Sequence, residues 1–218
     1  MKIVQTIISF PEIRLQTRDG HKLRGYFGQL FQEHSPLLHN HFEDGTLLYR
    51  YPLVQYKVVN HIPLLVGFLD GADLLVQLFL KMKELKLDDQ TYPVFGKNIR
   101  QFQFDLSPTG ELVRYRFETL WMALNQNNYT LYHKLSDEEK KVFLNKNLQN
   151  NILSFYKGLN YFTPERIMAN AKVEEKVTQF KNQSMLAFSG EFVSNAVLPD
   201  YAGIGKAVSR GFGTLRKI

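Results

Sequence analysis

The order of its periodic segments constrains the fold of this chain most. Up to residue 106, segments with the two-residue period of strands alternate with segments that have the 3.6-residue period of helices. In chain order we expect a strand at 2–10, a helix near 22–38, strands near 47–59 and 63–69, a helix from Asp70 to about Leu85, and strands near 91–96 and 99–106. This βαββαβ order is that of a ferredoxin-like domain.

The second half has a similar order of elements after a break at Ser107-Pro-Thr-Gly110. We expect a strand at 111–120, a helix from the Ser136/Glu139 capping box through Lys157, extended segments at 171–181 and 184–195, and a short final strand at 214–218. The fold class predicted is therefore α+β, with two tandem ferredoxin-like (RRM-like) domains. Their expected bounds are 1–107 and 108–218.

Charge and composition restrict the class of partner and the compartment. The formal net charge of +6 favours an anionic partner, and the absence of cysteine excludes disulfides and thiolate metal sites. The first ten residues have no secretory signal pattern, and the longest apolar run, at 62–69, is far shorter than the roughly 20 residues of a membrane span. We expect a cytoplasmic protein with no membrane partner.

The C-terminal segment combines four glycines, in two G-x-G pairs, with four basic side chains and no acid: Gly203, Gly205, Gly211 and Gly213, with Lys206, Arg210, Arg216 and Lys217. Glycine lets backbone N–H groups approach a phosphate closely. The spacing matches neither a P-loop nor a dinucleotide fingerprint. A glycine-rich turn and a nucleic-acid backbone clamp stay open, with mononucleotide binding as a more distant alternative.

The C-terminal pattern resembles the glycine-rich loop of the CRISPR-associated endoribonucleases of the RAMP superfamily, which cut precursor CRISPR RNA at its repeats. The resemblance is carried by Gly203-x-Gly205, the basic stretch, and Ser209-Arg210-Gly211-Phe212-Gly213 ahead of a final strand. It implies RNA binding by Gly203, Gly205, Lys206, Ser209, Arg210, Gly211 and Gly213. Arg50, and Arg114 with Arg116 on one face of a strand, are further RNA-binding candidates, although the last two are equally compatible with a solvated surface.

Half of the six histidines, His34, His39 and His41, lie within eight residues. A zinc site with Glu43 and Asp44 and an ordinary polar loop are two interpretations. The third is acid–base catalysis, because an imidazole with a pKa near 6.5 is present in both forms around neutral pH. Residues i and i+2 of an extended segment share a face, so His39 and His41 can bracket one phosphodiester.

Residues 3–58 also resemble the N-terminal domain of these endoribonucleases, one branch of which has an H-x-H pair followed by a tyrosine, as in His39, His41 and Tyr49. The resemblance implies an endoribonuclease of antiviral defence that needs no metal or other cofactor. His41 is the expected general base for the 2′-OH, His39 the general acid for the 5′ oxygen, and Tyr49 a hydrogen-bond donor to phosphate. The products would be a 2′,3′-cyclic phosphate and a 5′-OH.

The partner implied by the resemblance is CRISPR repeat RNA. Other CRISPR-associated proteins and a second copy of the chain are left open as further partners. The alternative function is that of a non-catalytic RNA-binding subunit of a CRISPR ribonucleoprotein complex, and a metal-dependent phosphoesterase is more distant.

Overall fold

The structure is a computed structural model that describes residues 1–30, 51–180 and 183–218. These residues form strands β1 (Lys2–Ser9), β2 (Val54–Val59), β3 (Ile62–Phe68), β4 (Glu84–Leu87), β5 (Gln90–Pro93), β6 (Asn98–Asp105), β7 (Pro108–Phe117), β8 (Ala169–Phe180), β9 (Gln183–Ala196) and β10 (Leu215–Lys217). The helices are α1 (Gly20–Leu30), α2 (Asp70–Leu78), α3 (Gln126–Tyr132) and α4 (Asp137–Gly158). None of the helices in these ranges is long and apolar enough to cross a membrane.

The first sheet has the strand order β2-β3-β1-β6, and β3 pairs antiparallel with both of its neighbours. The spacing Leu23–Phe27 gives α1 an apolar stripe, and Leu74, Leu75 and Leu78 give α2 another. Both stripes pack on one face of the sheet, in a core that includes Ile8, Tyr56 and Leu65. This order of strands, with the two helices on one face, confirms the ferredoxin-like prediction.

The helix expected to continue to about Leu85 ends earlier, at Leu78, and a 3₁₀ turn at Phe79–Lys81 follows it. Residues 84–93 instead form the β4–β5 hairpin. Leu85 and Leu87 are buried while Lys86 is exposed, so burial here follows the two-residue period of a strand. Asp88 takes a positive φ of 52°, which the tight turn of the hairpin requires.

The second sheet has the order β10-β7-β9-β8, again with the first and third strands in the centre. The predicted start of α4 is confirmed, because the Ser136 side chain accepts from the Glu139 N–H and the Glu139 carboxylate accepts from the Ser136 N–H. Between β9 and β10, where a ferredoxin-like domain has its second helix, the chain runs through the glycine-rich segment and one 3₁₀ turn, Val208–Arg210. The second domain therefore keeps the sheet order while replacing one helix by a loop.

The core of the second sheet is aromatic. The Trp121 ring is fully buried and lies parallel to Phe117, with 5.2 Å between the ring centroids. Its indole N–H donates to Asn151 Oδ1 on α4 at 2.9 Å, so this buried polar group is satisfied. The Tyr115 hydroxyl donates to the Ala196 carbonyl at 2.9 Å. The first bond ties the segment that follows β7 to α4, and the second ties β7 to β9.

Packing divides the chain into two units. One consists of Lys2–Phe104 together with Val208–Gly211, and the other of Met1, Asp105–Ala207 and Phe212–Ile218. Whereas the domain prediction divides the sequence at 107/108, the units divide between Phe104 and Asp105. The short segment Val208–Gly211 belongs to the first unit although it comes from the glycine-rich tail.

Candidate nucleic-acid interface

The predicted catalytic residues His39, His41 and Tyr49, and the RNA-binding candidate Arg50, lie outside the described residues. The elements on either side of residues 31–50 are α1 and β2. These two elements are joined by aromatic packing, since the Phe27 ring stacks on the Tyr56 ring with 5.9 Å between centroids. The helix that leads into the histidine segment and the strand that follows it are therefore held in one fixed core.

The glycines at 205 and 213 are required by packing inside the second unit. Gly205 has a φ of +95°, and a Cβ there would lie 2.8 Å from both the Met122 carbonyl oxygen and the Trp121 ring. Gly213 has a φ of +62°, and a Cβ there would overlap the carbonyl oxygen of Ile204. Any side chain at either position would be strained by the backbone and would clash with backbone atoms.

Several N–H groups of the tail already donate within the protein. The Gly213 N–H donates to Leu120 O at 2.8 Å, the Lys206 N–H to Met122 O at 3.0 Å, and the Ile204 N–H to the Gly213 carbonyl at 3.0 Å. These three N–H groups therefore already have acceptors within the protein. Gly203 forms an isolated antiparallel bridge with Thr214, which ties the two ends of the loop together.

Within the first unit, the segment Val208–Gly211 packs on α1 and β2. A Cβ at Gly20, the first residue of α1, would lie 2.7 Å from the Arg210 carbonyl oxygen, so glycine permits this close approach. Gly211 has a φ of +95° and lies over β2, where a Cβ would be 3.3 Å from the Tyr56 carbonyl oxygen. Ser209 and Arg210 are half-buried. Burial, and then the nearby charge of Arg24, lower the pKa of Arg210.

Arg114 and Arg116 point from the same face of β7 to a single carboxylate. Arg114 Nη2 donates to Glu191 Oε2 at 2.6 Å, and Arg116 Nη2 donates to Glu191 Oε1 at 2.9 Å. The hydrogen bonds from Arg116 and then Arg114 lower the pKa of Glu191. Both guanidinium groups remain more than half exposed, at 63% and 54%, so the group carries one net positive charge towards solvent.

The register of the sheet places further basic residues on both sides of Arg116 and Glu191. Arg216 of β10 lies opposite Arg116, and Lys172 of β8 lies opposite Glu191. Cross-strand partners lie about 5 Å apart. With Arg114, this exposed face therefore brings together four basic residues and one acid. The alternation of residues along β7 is enough to predict that Arg116 is exposed. The positions of Arg216 and Lys172 beside it follow only from the register of the strands.

A cleft of about 720 Å³ lies along the exposed side of α1, beside the β4–β5 hairpin, and its lining includes His21, Tyr26 and Gln29. Lys22 in this cleft bridges Asp19 at 3.0 Å and Asp88 at 2.6 Å. The hydrogen bonds with Asp88 and then Asp19 raise the pKa of Lys22. Within residues 1–30, 51–180 and 183–218, no three histidine or acidic side chains come together as a metal site.

Comparison with known proteins now identifies the family. The family models of the Cas6b N-terminal domain and the Cas6b C-terminal domain match residues 1–105 and 107–218. The chain belongs to the Cas6b family. This confirms the resemblance to the CRISPR-associated endoribonucleases of the RAMP superfamily.

Solved structures of the Cas6b family share the whole fold. One crystal structure of Cas6b is 36% identical, covers 100% of both chains and has a TM-score of 0.95. Another, of the CRISPR RNA processing endoribonuclease Cas6b, is 33% identical with the same coverage and a TM-score of 0.81. A type IV Cas6 crRNA endonuclease, at 11% identity and full coverage of both chains, shares the fold with a TM-score of 0.64. An uncharacterized protein of Methanocaldococcus jannaschii is 34% identical over 143 residues, which is 65% of this chain and 97% of that protein.

Proposed function

We propose that this Cas6b-family chain is an endoribonuclease that cuts precursor CRISPR RNA within its repeats. The observation that carries the proposal is the full-length match to the CRISPR RNA processing endoribonuclease Cas6b, at 33% identity and a TM-score of 0.81. The two Cas6b domain models, which together span residues 1–105 and 107–218, support it. CRISPR repeat RNA is accordingly the proposed partner, and the cytoplasm the proposed location.

The proposed reaction uses the nucleophile that RNA itself carries. His41 takes the proton of the 2′-OH, the 2′ oxygen attacks the adjacent phosphorus, the bond from phosphorus to the 5′ oxygen breaks, and His39 gives a proton to that leaving oxygen. The products are a 2′,3′-cyclic phosphate and a 5′-OH. Tyr49, with a phenol pKa near 10, suits hydrogen bonding to phosphate better than proton abstraction. The reaction needs no metal ion.

RNA binding is proposed for the basic and polar groups of the tail and of the second sheet. Lys206, Ser209 and Arg210 offer side chains for phosphate contacts, and Arg114 with Arg116 offers an exposed cationic row. Gly203, Gly205, Gly211 and Gly213 contribute by allowing the tail to fold closely on the unit to which each of them belongs. Arg50, which follows the histidines in the sequence, is the remaining candidate.

The proposal is tested with His39→Ala and His41→Ala separately on repeat RNA. Loss of a general acid or base lowers the single-turnover cleavage rate about 10²–10⁴-fold. Both variants should still bind a repeat RNA with a 2′-deoxy substitution at the cleavage position. His133→Ala is the matched control, because His133 is an exposed histidine directly after α3.

Three outcomes would contradict the proposal or part of it. Cleavage that requires magnesium and stops in EDTA contradicts the mechanism, as does cleavage of the 2′-deoxy RNA. A wild-type protein that binds repeat RNA without cutting it would instead be a non-catalytic RNA-binding subunit. Joint purification with other CRISPR-associated proteins, and size measurement with and without RNA, test the remaining proposed partners.

A further inference from the structure

The tail segment Val208–Gly211 brings an arginine onto the first helix. Gly20 at the start of α1 leaves room for the Arg210 backbone, and Gly211 turns over β2 beside Tyr56. The chain of the tail thus lies on the N-terminal turn of α1 and on the middle of β2. Arg210 is held there in a half-buried position.

Arg24 lies one helical turn beyond Gly20. Residues four apart lie above one another on a helix face, so Arg24 follows Gly20 on the side of α1 that Arg210 contacts. Arg24 is also half-buried, and its positive charge acts on Arg210 and on the phenol of Tyr56. Two guanidinium groups 186 positions apart in the sequence are therefore within electrostatic reach of each other.

A buried polar atom lies within reach of the same charge. The Tyr56 hydroxyl is buried, and within the described residues it has no hydrogen-bond partner. Burial raises the pKa of Tyr56 and Arg24 opposes that shift. Two guanidinium groups within electrostatic reach repel each other, and an anion with several acceptor oxygens would relieve that repulsion.

We propose that Arg24 and Arg210 together bind one backbone phosphate of the RNA. Planar guanidinium groups donate paired hydrogen bonds to phosphate oxygens, and partial burial strengthens such bonds. The site lies on α1, which ends at Leu30, directly before the segment that contains His39 and His41. The inference rests on the proposed function and adds Arg24 to the RNA-binding residues.

The first test measures binding separately from cleavage, with repeat RNA that carries a 2′-deoxy substitution at the cleavage position. Arg24→Met and Arg210→Met keep most of the aliphatic stem and remove the charge. Arg100→Met, on the exposed strand β6, is the control with the same change of charge. We expect each site variant to raise Kd about tenfold and the control to retain binding. The double variant should lose less than the product of the single effects, because both arginines bind one phosphate.

The second test uses inorganic phosphate in place of RNA. Phosphate that binds the folded state raises Tm with its concentration. We expect this rise for the wild type and for Arg100→Met, and a reduced rise for the Arg24→Met/Arg210→Met double variant. Equal Tm increments in all three proteins would overturn the proposal, as would site variants that bind RNA as tightly as Arg100→Met.

The two proposals fail in different ways. If His39→Ala and His41→Ala still cleave, the proposed catalytic roles are wrong while the binding comparison of the arginine variants stands. If the arginine variants bind normally and the histidine variants stop cleaving, the phosphate site is wrong and the enzyme proposal stands.

Discussion

Lys57 is a fully buried lysine on β2, and its environment predicts an unusual dependence of stability on pH. Burial lowers its pKa from 10.5 to about 7. At about 1.4 kcal/mol per unit of pKa, the protonated form costs about 5 kcal/mol in the folded protein relative to the unfolded chain. Because the unfolded chain binds more protons between pH 7 and 10.5, the free energy of unfolding should rise with pH across that window.

The perturbation is Lys57→Met, which removes the amine and keeps an unbranched apolar side chain. The pH-dependent contribution of Lys57 disappears in this variant, while any change in packing is the same at every pH. The difference in unfolding free energy between the variant and the wild type should therefore change by about 1.4 kcal/mol per pH unit between roughly pH 7.5 and 9.5, in favour of the wild type at higher pH.

The assay is urea denaturation at several pH values in that window, analysed by linear extrapolation. Lys2→Met is the matched control, because Lys2 is an exposed lysine of strand β1 in the same sheet. Its stability should run parallel to that of the wild type across the pH range. Parallel curves for Lys57→Met and the wild type would refute the argument, since they would mean that Lys57 binds its proton equally in the folded and unfolded states.

Three further predictions follow from individual contacts. Gly213→Ala should lower the free energy of unfolding by more than about 2 kcal/mol, because of its positive φ and the overlap with Ile204, whereas Gly110→Ala, with open space around it, should change it little in the same urea assay. Ser136→Ala should cost about 1 kcal/mol in urea denaturation by removing the cap of α4, and an unchanged midpoint would contradict this. Glu191→Gln should tighten RNA binding and steepen its salt dependence by removing the acid between Arg114 and Arg116, and equal affinity and salt slope would argue against RNA on this face.

The sequence predicts those elements whose signals are local. The capping box at Ser136 marks the start of α4 because both of its hydrogen bonds lie within one turn. The extended segments expected at 171–181 and 184–195 correspond to Ala169–Phe180 and Gln183–Ala196. Alternation over more than ten residues identifies a strand well, although it leaves the ends uncertain by a residue or two.

Shorter elements are harder to predict. Asn125 caps α3, its side chain accepting from the Asn128 N–H at 2.7 Å, so the local signal for this seven-residue helix is a single asparagine. The hairpin after α2 has strands of only four residues, which apolar spacing does not distinguish from a continuing helix. Its turn at Asp88 is stabilised by pairing of the strands and is not evident from composition.

The candidate site is harder to predict from the sequence than the fold, because its properties depend on contacts between residues far apart in the sequence. A G-x-G pattern is compatible both with phosphate binding and with close packing, and nothing local distinguishes the two. In the structure Gly205 and Gly213 serve packing, whereas Gly211 and the distant Gly20 accommodate the segment that carries Arg210. Arg24 gave no signal in the sequence, because its relation to Arg210 exists only once the tail lies on α1.

The division of the tail between the two packing units gives its glycines separate tasks. The chain enters the first unit at Val208 and leaves it after Gly211, while Gly205 and Gly213 belong to the second unit on either side. Four residues are too few to form a core of their own, so their place depends on the close approach that Gly20 permits. Gly20→Ala should therefore displace Arg210 without altering any charge. If Arg24 and Arg210 bind one phosphate, this variant should weaken RNA binding as Arg210→Met does. A Gly20→Ala variant that folds and binds RNA normally would show that Arg210 does not bind the phosphate.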